Sequence, residues 1–295
     1  MSNILTAILL SFTLMSYNVE NLFHPSVDSL NPDAEYTLSG SRRWSYSQYQ
    51  RKLEHIAQVI ADVSEEHPYF IGLNEVETET CLIDLCRKMP HYPYRFLHAD
   101  SPDKRGIDVA LLYDSVHCRI LSSDFLRVSL DSITTTRDIL YAEAVVDKTD
   151  TLHLFLCHLP SQLGGYQNSR WKREKVKLLL KQKTDSILAI KQEAQIVVFG
   201  DMNMPPEEDL PPLHNLMLPF NGKSGTHKYN GIWTCLDQFY ISESLLERAI
   251  PSIFSAPWLL EEDTKYLDTR PKRTFIGFRY NKNGYSDHLP ILLQL

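Results

Sequence analysis

Cysteine is scarce and carries no pattern. The five residues, Cys81, Cys86, Cys118, Cys157 and Cys235, are odd in number and none forms a C-x-x-C pair. That excludes a disulfide framework, a zinc ribbon and a thioredoxin-like motif, and leaves the five as small core residues or free thiols. Basic excess is missing too. With 30 Lys+Arg against 37 Asp+Glu the net charge is −7, which argues against a protein that coats polyanions without selectivity. It leaves room for a local basic groove. No apolar stretch is long enough to span a bilayer. The N-terminal run, residues 4–15, has neither a basic n-region nor a small-residue cleavage site. It reads as an apolar leader flowing into a first strand, with an atypical or clipped signal as the alternative. A soluble protein is expected, cytoplasmic ahead of secreted. Internal repeats, low-complexity tracts and a convincing linker are all lacking, so residues 1–295 are expected to form a single domain, with residues 1–11 as leader. Nothing indicates a protein partner.

What is present suits an ordinary globular protein. The chain is 43% apolar and 23% charged, and that apolar content rules out disorder as the main state. Short apolar runs alternate with a few amphipathic helices, the pattern of an α/β protein. Strands are expected over 12–17, 69–73, 107–113, 152–157, 196–199, 236–241 and 289–293. Helices are expected from Ser45, over 80–88 and over 169–191. Ser45 with Gln48 three residues later forms a capping-box pattern, and Trp44 is placed to staple the entry. Tyr49, Leu53, Ile56, Ile60 and Val63 follow at helical spacing, so this helix buries one face. The 80–88 helix places Cys81 and Cys86 on different faces. Residues 25–45 form a long polar loop of the kind that often carries function.

The polar residues fall at strand ends. Asn18, Glu75, His158, Asp201 with Asn203, and Asp287 with His288 each close an apolar run. Strand ends gathered at one rim of a sheet make a natural site. Carboxylates and carboxamides there suit a hard cation such as Mg²⁺, and histidines nearby suit proton transfer or charge stabilisation. Singly, each is ordinary: a Glu after a strand is usually a solvated strand end, and Gly-Asp-x-Asn or Ser-Asp-His is usually a turn or cap. Their order and combination carry the weight.

The combination resembles the endonuclease/exonuclease/phosphatase superfamily, which holds deoxyribonucleases, abasic-site endonucleases, inositol polyphosphate 5-phosphatases and neutral sphingomyelinases. The matching segments are Ser16-Tyr17-Asn18-Val19-Glu20-Asn21-Leu22, Gly72-Leu73-Asn74-Glu75-Val76, Cys157-His158-Leu159-Pro160-Ser161, Gly200-Asp201-Met202-Asn203 and Ser286-Asp287-His288-Leu289-Pro290. They run in the family's order along essentially the whole chain. Glu20-Asn21-Leu22-Phe23, the segment from Ser101-Pro102-Asp103 through Arg105-Gly106-Ile107-Asp108 to Tyr113, and Gly164-Gly165 look closer to a bacterial branch. That branch tends to read Asn-His-Trp-Pro-Ser-Arg where this chain has Cys157 to Gln162. The histidine is kept; an aromatic and an arginine are not. Thr78 stands where the branch often has Asn.

The resemblance implies a four-layer α/β (α+β) sandwich, two packed mixed β-sheets flanked by helices. It also implies Mg²⁺-dependent hydrolysis of a phosphate ester, with Mn²⁺ as a substitute. Glu75, Asn18 and Asp287 would ligate the metal. Asp201 would orient and deprotonate the water, and Asn203 would position a phosphoryl oxygen or the nucleophile. His288, held by Asp237, would contact the phosphate, and His158 would act from the other side. Arg105 is a candidate phosphate clamp, because a guanidinium fork matches phosphate oxygens. Asp108, inside an apolar strand, is expected to hold Arg105 or a cleft group.

Arg170, Lys172, Arg173, Lys175, Lys177, Lys181 and Lys183 cluster on the 169–191 helix, whose buried face is expected from Val176, Leu179, Leu180, Ile187 and Ile190. A solvated outer face is the simpler reading; the other is a patch that steers a polyanion. Arg170 is the member expected to reach the site, and Trp171 is read as core or rim. The leading reading is therefore a phosphodiesterase, nuclease first, with nucleic acid as substrate. The alternative is a phosphatase or phosphodiesterase acting on a small phosphorylated molecule or lipid head group. A third reading, of another class, is a non-catalytic binding protein on the same fold. Specificity should lie in residues 25–45, 162–169 and 256–273.

Overall fold

The computed structural model describes residues 11–26, 34–131, 133–148, 150–222 and 224–295. Residues 1–10 of the expected leader and residues 27–33 of the expected polar loop lie outside the described residues. In chain order the strands are β1 (Thr13–Leu22), β2 (Phe70–Val76), β3 (Tyr94–His98), β4 (Asp108–Asp114), β5 (Cys118–Leu126), β6 (Ile139–Val146), β7 (Asp150–His158), β8 (Gln195–Asp201) and β9 (His214–Asn215). There follow β10 (His227–Tyr229), β11 (Ile232–Thr234), β12 (Asp237–Ile241), β13 (Ile250–Ile253), β14 (Leu260–Asp263), β15 (Asp268–Pro271), β16 (Phe275–Ile276), β17 (Arg279–Tyr280) and β18 (Ile291–Gln294). The helices are α1 (Tyr46–Asp62), α2 (Glu79–Lys88) and α3 (Tyr166–Ile190).

Two mixed sheets carry the fold, ordered β13-β18-β1-β2-β4-β3 and β5-β6-β7-β8-β12-β9. Each has one parallel pair, β1 with β2 and β7 with β8; the other pairings are antiparallel. Parallel neighbours need a crossover, and α1 and α3 supply the two. Three apolar clusters mark the interfaces of a four-layer α/β sandwich. Leu14, Phe70, Leu111, Leu154, Leu156, Val197 and Phe199 fill the space between the sheets. Met15, Tyr17, Leu73 and Ile71 face α1 and α2. Phe155, Cys157, Ile196 and Val198 face α3. Strand side chains alternate with period two, so each central strand feeds both an inner and an outer interface. That is why these strands read as continuous apolar runs.

Gly72 lets the sheets approach. A Cβ there would overlap the Phe199 ring and the Leu156 side chain. The α1 start is as expected: Ser45 caps it, with both bonds of a capping box to Gln48. Trp44, Tyr49, Leu53, Ile56, Ile60 and Val63 are buried. All five cysteines are free.

Three expectations need correction. β1 and β2 do not stop at Asn18 and Glu75 but continue through register shifts to Leu22 and Val76. In α3, Arg173 is fully buried and Ile190 is exposed, the reverse of their expected places. Arg173 turns inward because it donates to the carbonyls of Pro160 and Tyr166 and to the Ser169 hydroxyl. Ile190 ends the last turn, beyond the reach of the core. Of the two main sheets, β3, β5, β6, β9 and β13 were not foreseen; β5 is an edge strand whose middle is largely exposed and reads as polar chain. No helix among the described residues is long and apolar enough to cross a membrane.

Candidate active site

The site forms where the carboxyl ends of the two parallel pairs meet. On the second sheet, Leu156, Phe199 and Phe239 face the inter-sheet core. Two residues on along β7 and β8, and two back along β12, the same face carries His158, Asp201 and Asp237. Register makes these three lateral neighbours: His158 pairs with Asp201 and Asp201 with Asp237. Directly opposed residues on one face have Cβ atoms about 4.5–5.5 Å apart, close enough for the groups to act together. Gly200 makes the approach possible. Its φ is +127°, and a Cβ would collide with the Cys157 carbonyl.

On the first sheet, Asn18 pairs with Asn74. Asn18 Nδ2 donates to Asp201 Oδ2 at 3.0 Å, and Asn74 Nδ2 donates to the Cys157 carbonyl at 2.8 Å, so the two sheets are stitched at this rim. Glu75 owes its direction to a bulge. Strict alternation after inward Asn74 would send it toward the helices. Instead the register shifts between Asn74 and Val76, and Glu75 takes φ +69°. Bulges of this kind re-aim side chains next to sites, and a non-glycine residue at positive φ is held there by its surroundings. Glu75 Oε2 accepts from the Asn21 amide at 2.8 Å, and Oε1 lies 4.0 Å from His158 Nε2. Asn21 and Glu20 also have positive φ, in the matching irregularity of β1.

His158 Nε2 is 3.5 Å from Asp201 Oδ2, and His288 Nε2 is 3.9 Å from the same oxygen. His288 Nδ1 lies 2.7 Å from Asp237 Oδ2. Asp287 Oδ2 accepts from Arg273 Nη2 at 3.2 Å. Asn203 donates its backbone amide to Asp201 Oδ1 at 2.9 Å, and its side-chain amide to the Leu159 carbonyl at 3.0 Å. It therefore fixes the carboxylate and the loop after His158. Arg105 is half-exposed at the mouth; its Nη2 donates to Asn21 Oδ1 at 2.8 Å and lies 3.7 Å from Glu75 Oε1. Arg170 is not brought in: it is half-exposed and lies 3.8 Å from Glu174. Asp108 does not hold Arg105. It accepts from the Ser101 hydroxyl, because Arg105 turns toward Asn21 and Glu75.

Burial divides the titratable groups. The Asp201 carboxyl is pushed up to about 7 by loss of solvent, opposed by His288 and reinforced by the Asp237 charge. Burial pushes the His158 imidazole well below its usual value, and Arg137, Arg105 and His288 add to this. Burial would lower His288 too, but the Asp237 carboxylate, with Asp201 and Asp287, outweighs it and holds the ring well above its usual value. Asp287 would rise with burial, yet His288, His227 and Arg273 keep it below the usual carboxylate range.

Four participants escaped the sequence reading. Arg137 is buried, donates to the Ile107 carbonyl, and lies 3.7 Å from Asp103. The His227 ring packs on His288 with centroids 4.8 Å apart. Arg273 pairs with Asp287. Glu20, pushed up to about 7 by burial and by the Asp287 charge, accepts the Thr274 and Phe275 amides. Glu20 lay inside a quoted segment; the other three carry no spacing that marks them.

The donor set fits a hard divalent cation. Asn18, Glu75 and Asp287 offer oxygen ligands. Asn18 links the other two: its register partner precedes Glu75, and Ser286, which precedes Asp287, donates to its carbonyl at 2.6 Å. Ligand atoms of Asp287, His227 and His288 also lie within 4.8 Å of one another.

The family model described as the Endonuclease/Exonuclease/phosphatase family matches residues 13–295. No curated protein sequence matches the chain. Solved structures share the fold. Truncated TDP2 from Caenorhabditis elegans matches with TM-score 0.63 and 15% identity, covering 97% of each chain. The human Nocturnin catalytic domain with bound sulfate gives 0.60 and 15%, over 96% of this chain and 93% of that one. A mannosyl-6-phosphatase from Bacteroides thetaiotaomicron gives 0.62 and 15%, over 96% and 99%.

Proposed function

The chain belongs to the endonuclease/exonuclease/phosphatase family, whose members hydrolyse phosphate esters, and from that premise we propose that it cleaves a phosphodiester by in-line attack of a water activated at Asp201. The observation that carries this reading is the row His158–Asp201–Asp237, set by strand register, facing Asn18 and Glu75 across the cleft. A carboxyl near 7 is matched to proton transfer at neutral pH. Asn18 Nδ2 and the Asn203 amide fix one oxygen each of Asp201, so its orientation is set before substrate arrives. His288, kept cationic by Asp237, faces the charge that develops on the phosphoryl oxygens. His158, kept neutral by burial, donates or accepts from the opposite side. Arg105 and Arg137 add guanidinium donors at the mouth and the floor.

Asn18, Glu75 and Asp287 would hold Mg²⁺, with Mn²⁺ as substitute; the cation would neutralise phosphoryl and leaving oxygens. Nucleic acid remains the first substrate in this reading. A small phosphorylated molecule is the second, favoured by one observation: a cavity of about 220 Å³ opens beside Asp287. The test compares bis(4-nitrophenyl) phosphate, 4-nitrophenyl phosphate and plasmid DNA, each with Mg²⁺ or EDTA. Cleavage that needs Mg²⁺ and disappears in Asp201→Asn supports the reading; plasmid cleavage selects nuclease, and ester cleavage alone selects the small substrate. No cleavage of any of the three, with folded protein and Mg²⁺, overturns it.

A further inference from the structure

The packed face of α1 carries one residue of the wrong type. Lys52 lies on the buried stripe with Tyr49, Leu53 and Ile56 and is 1% exposed. A buried ammonium is costly unless its donors are met, and a methionine would fill the same space without that cost. The bonds of Lys52 show what it holds.

Lys52 Nζ donates to Thr274 Oγ1 at 2.5 Å and to the Tyr285 carbonyl at 3.2 Å, and Thr274 Oγ1 donates to that same carbonyl at 3.1 Å. Thr274 and Tyr285 sit on the two arms that flank the β16–β17 hairpin. The Tyr285 amide donates to the Lys272 carbonyl at 2.6 Å, so the arms run side by side. Arg273 precedes Thr274 on one arm, Asp287 follows Tyr285 on the other, and the two side chains pair at 3.2 Å. Both arms are also tied to β1. Glu20 accepts the Thr274 amide at 2.5 Å, and Ser286 Oγ donates to the Asn18 carbonyl at 2.6 Å. One turn on from Lys52, His55 Nδ1 lies 2.7 Å from the Gly284 carbonyl, and its ring stacks on Tyr285 with centroids 4.4 Å apart. Lys52 is therefore the peg that joins α1 to both arms.

Two effects on a cation at Asp287 oppose each other. As a charge, the ammonium would repel it. Burial pulls Lys52 down to about 8, while Glu20, Asp287 and Glu75 hold it up. As an anchor, it fixes the arm that carries Asp287 before any cation arrives, and preorganised ligands bind better. Glu20 faces Lys52 across Thr274, whose amide it accepts while the hydroxyl accepts from the lysine. Seen from the cleft the two charges offset one another, which leaves the anchor as the larger effect.

We propose that Lys52 is a positioning residue for the metal centre: through Thr274 and the Tyr285 carbonyl it locks the two arms and so sets the direction of Asp287. The inference rests on the assignment of Asp287 as a metal ligand in the proposed function, and it extends the centre to residues that touch neither cation nor substrate.

The test is Mn²⁺ binding by the full chain without substrate, read from the electron paramagnetic resonance signal of free Mn²⁺, for the site that Asp287→Asn removes. The variants are Lys52→Met, Thr274→Val and Thr274→Ser, with thermal midpoints measured in EDTA. Lys52→Met and Thr274→Val should each raise the Mn²⁺ dissociation constant about tenfold or more, the range for partners that orient a ligand. Thr274→Ser keeps the hydroxyl and should stay within about twofold of wild type. A merely structural lysine would lower the midpoint and leave the constant unchanged. Thr274→Val keeps the ammonium, so a loss there is positional. No loss in Thr274→Val overturns the proposal, as does an unchanged or tighter constant in folded Lys52→Met. If Lys52→Met does not fold, the two Thr274 variants decide. A wild type with no such Mn²⁺ site overturns this proposal and the metal assignment together. Mn²⁺ bound as expected with no ester cleaved removes the phosphoesterase reading alone and upholds the role of Lys52.

Discussion

At the scale of single residues, the site works by contrast between neighbours of the same type. His158 and His288 approach one oxygen of Asp201 from two sides, yet one is held neutral and the other charged. The difference is Asp237, which lies against His288, while His158 Nδ1 has no hydrogen-bond partner among the described residues. Asp201 and Asp287 are likewise pushed in opposite directions, the first up and the second down. Asp201→Asn keeps the shape but puts an NH2 where one oxygen accepted from Asn18 or Asn203, so it removes the proton acceptor and one of those two bonds. The expected loss in kcat is about 10²–10⁴-fold, read by steady-state kinetics, with the thermal midpoint within a few degrees of wild type. The candidate residues were legible because carboxylates, carboxamides and histidines closing apolar runs are visible without a structure. Arg137 and Arg273 were not, since a guanidinium in a polar stretch says nothing of where its end will lie.

At the scale of elements, two joints set the stability of the frame. Gly72 on β2 is the point where the sheets touch. Gly72→Ala pushes a methyl into Phe199 and Leu156, and the expected cost is about 1–3 kcal/mol, read as a lower urea midpoint with an unchanged slope. The β4–β5 turn is closed by Asp114, which is buried and accepts from His67 Nε2 at 2.7 Å, His117 Nδ1 at 2.8 Å and the Val116 amide at 2.7 Å. Burial alone would raise its pKa, but these bonds outweigh burial and lower it. A carboxyl depressed on folding contributes stability that is present above its unfolded value and lost as pH falls through its folded one. Asp114→Asn should therefore be less stable than wild type by about 1–3 kcal/mol at pH 7, with the gap closing as pH falls below about 4; urea titrations at pH 7, 4 and 3 check it. α1 was legible to its capping box, because cap chemistry and helical spacing are local. β5 was hidden, because an edge strand with an exposed middle has no apolar run to reveal it.

At the scale of the whole molecule, the cleft exists only because two sheets are packed with their parallel pairs ending at one rim. The proposed ligands to a metal lie on β1, β2 and the segment before β18, so a bound cation would tie distant parts of the chain together. Mg²⁺ at about 100 times its dissociation constant should stabilise the fold by about 2.7 kcal/mol. A rise in thermal midpoint on adding Mg²⁺, reversed by EDTA and absent in a Glu75→Gln, Asp287→Asn double variant, is the expected result. An equal rise in that variant would place the cation elsewhere. The sequence by itself determined the alternating strands and helices, the cap of α1, the free cysteines, and the ordered set of polar strand ends that the resemblance rested on. These are properties of local periodicity and composition. Tertiary structure alone decided which strand ends become neighbours. It set the register that lines up His158, Asp201 and Asp237 and the bulge that turns Glu75 inward. It also placed Asp237 against His288, buried Arg173 and Arg137, and closed two hairpins over a cavity beside Asp287. Each of these is fixed by pairing and packing between segments far apart in the chain. A one-residue shift of register would reverse the face of every side chain on a strand, and no local pattern specifies that choice.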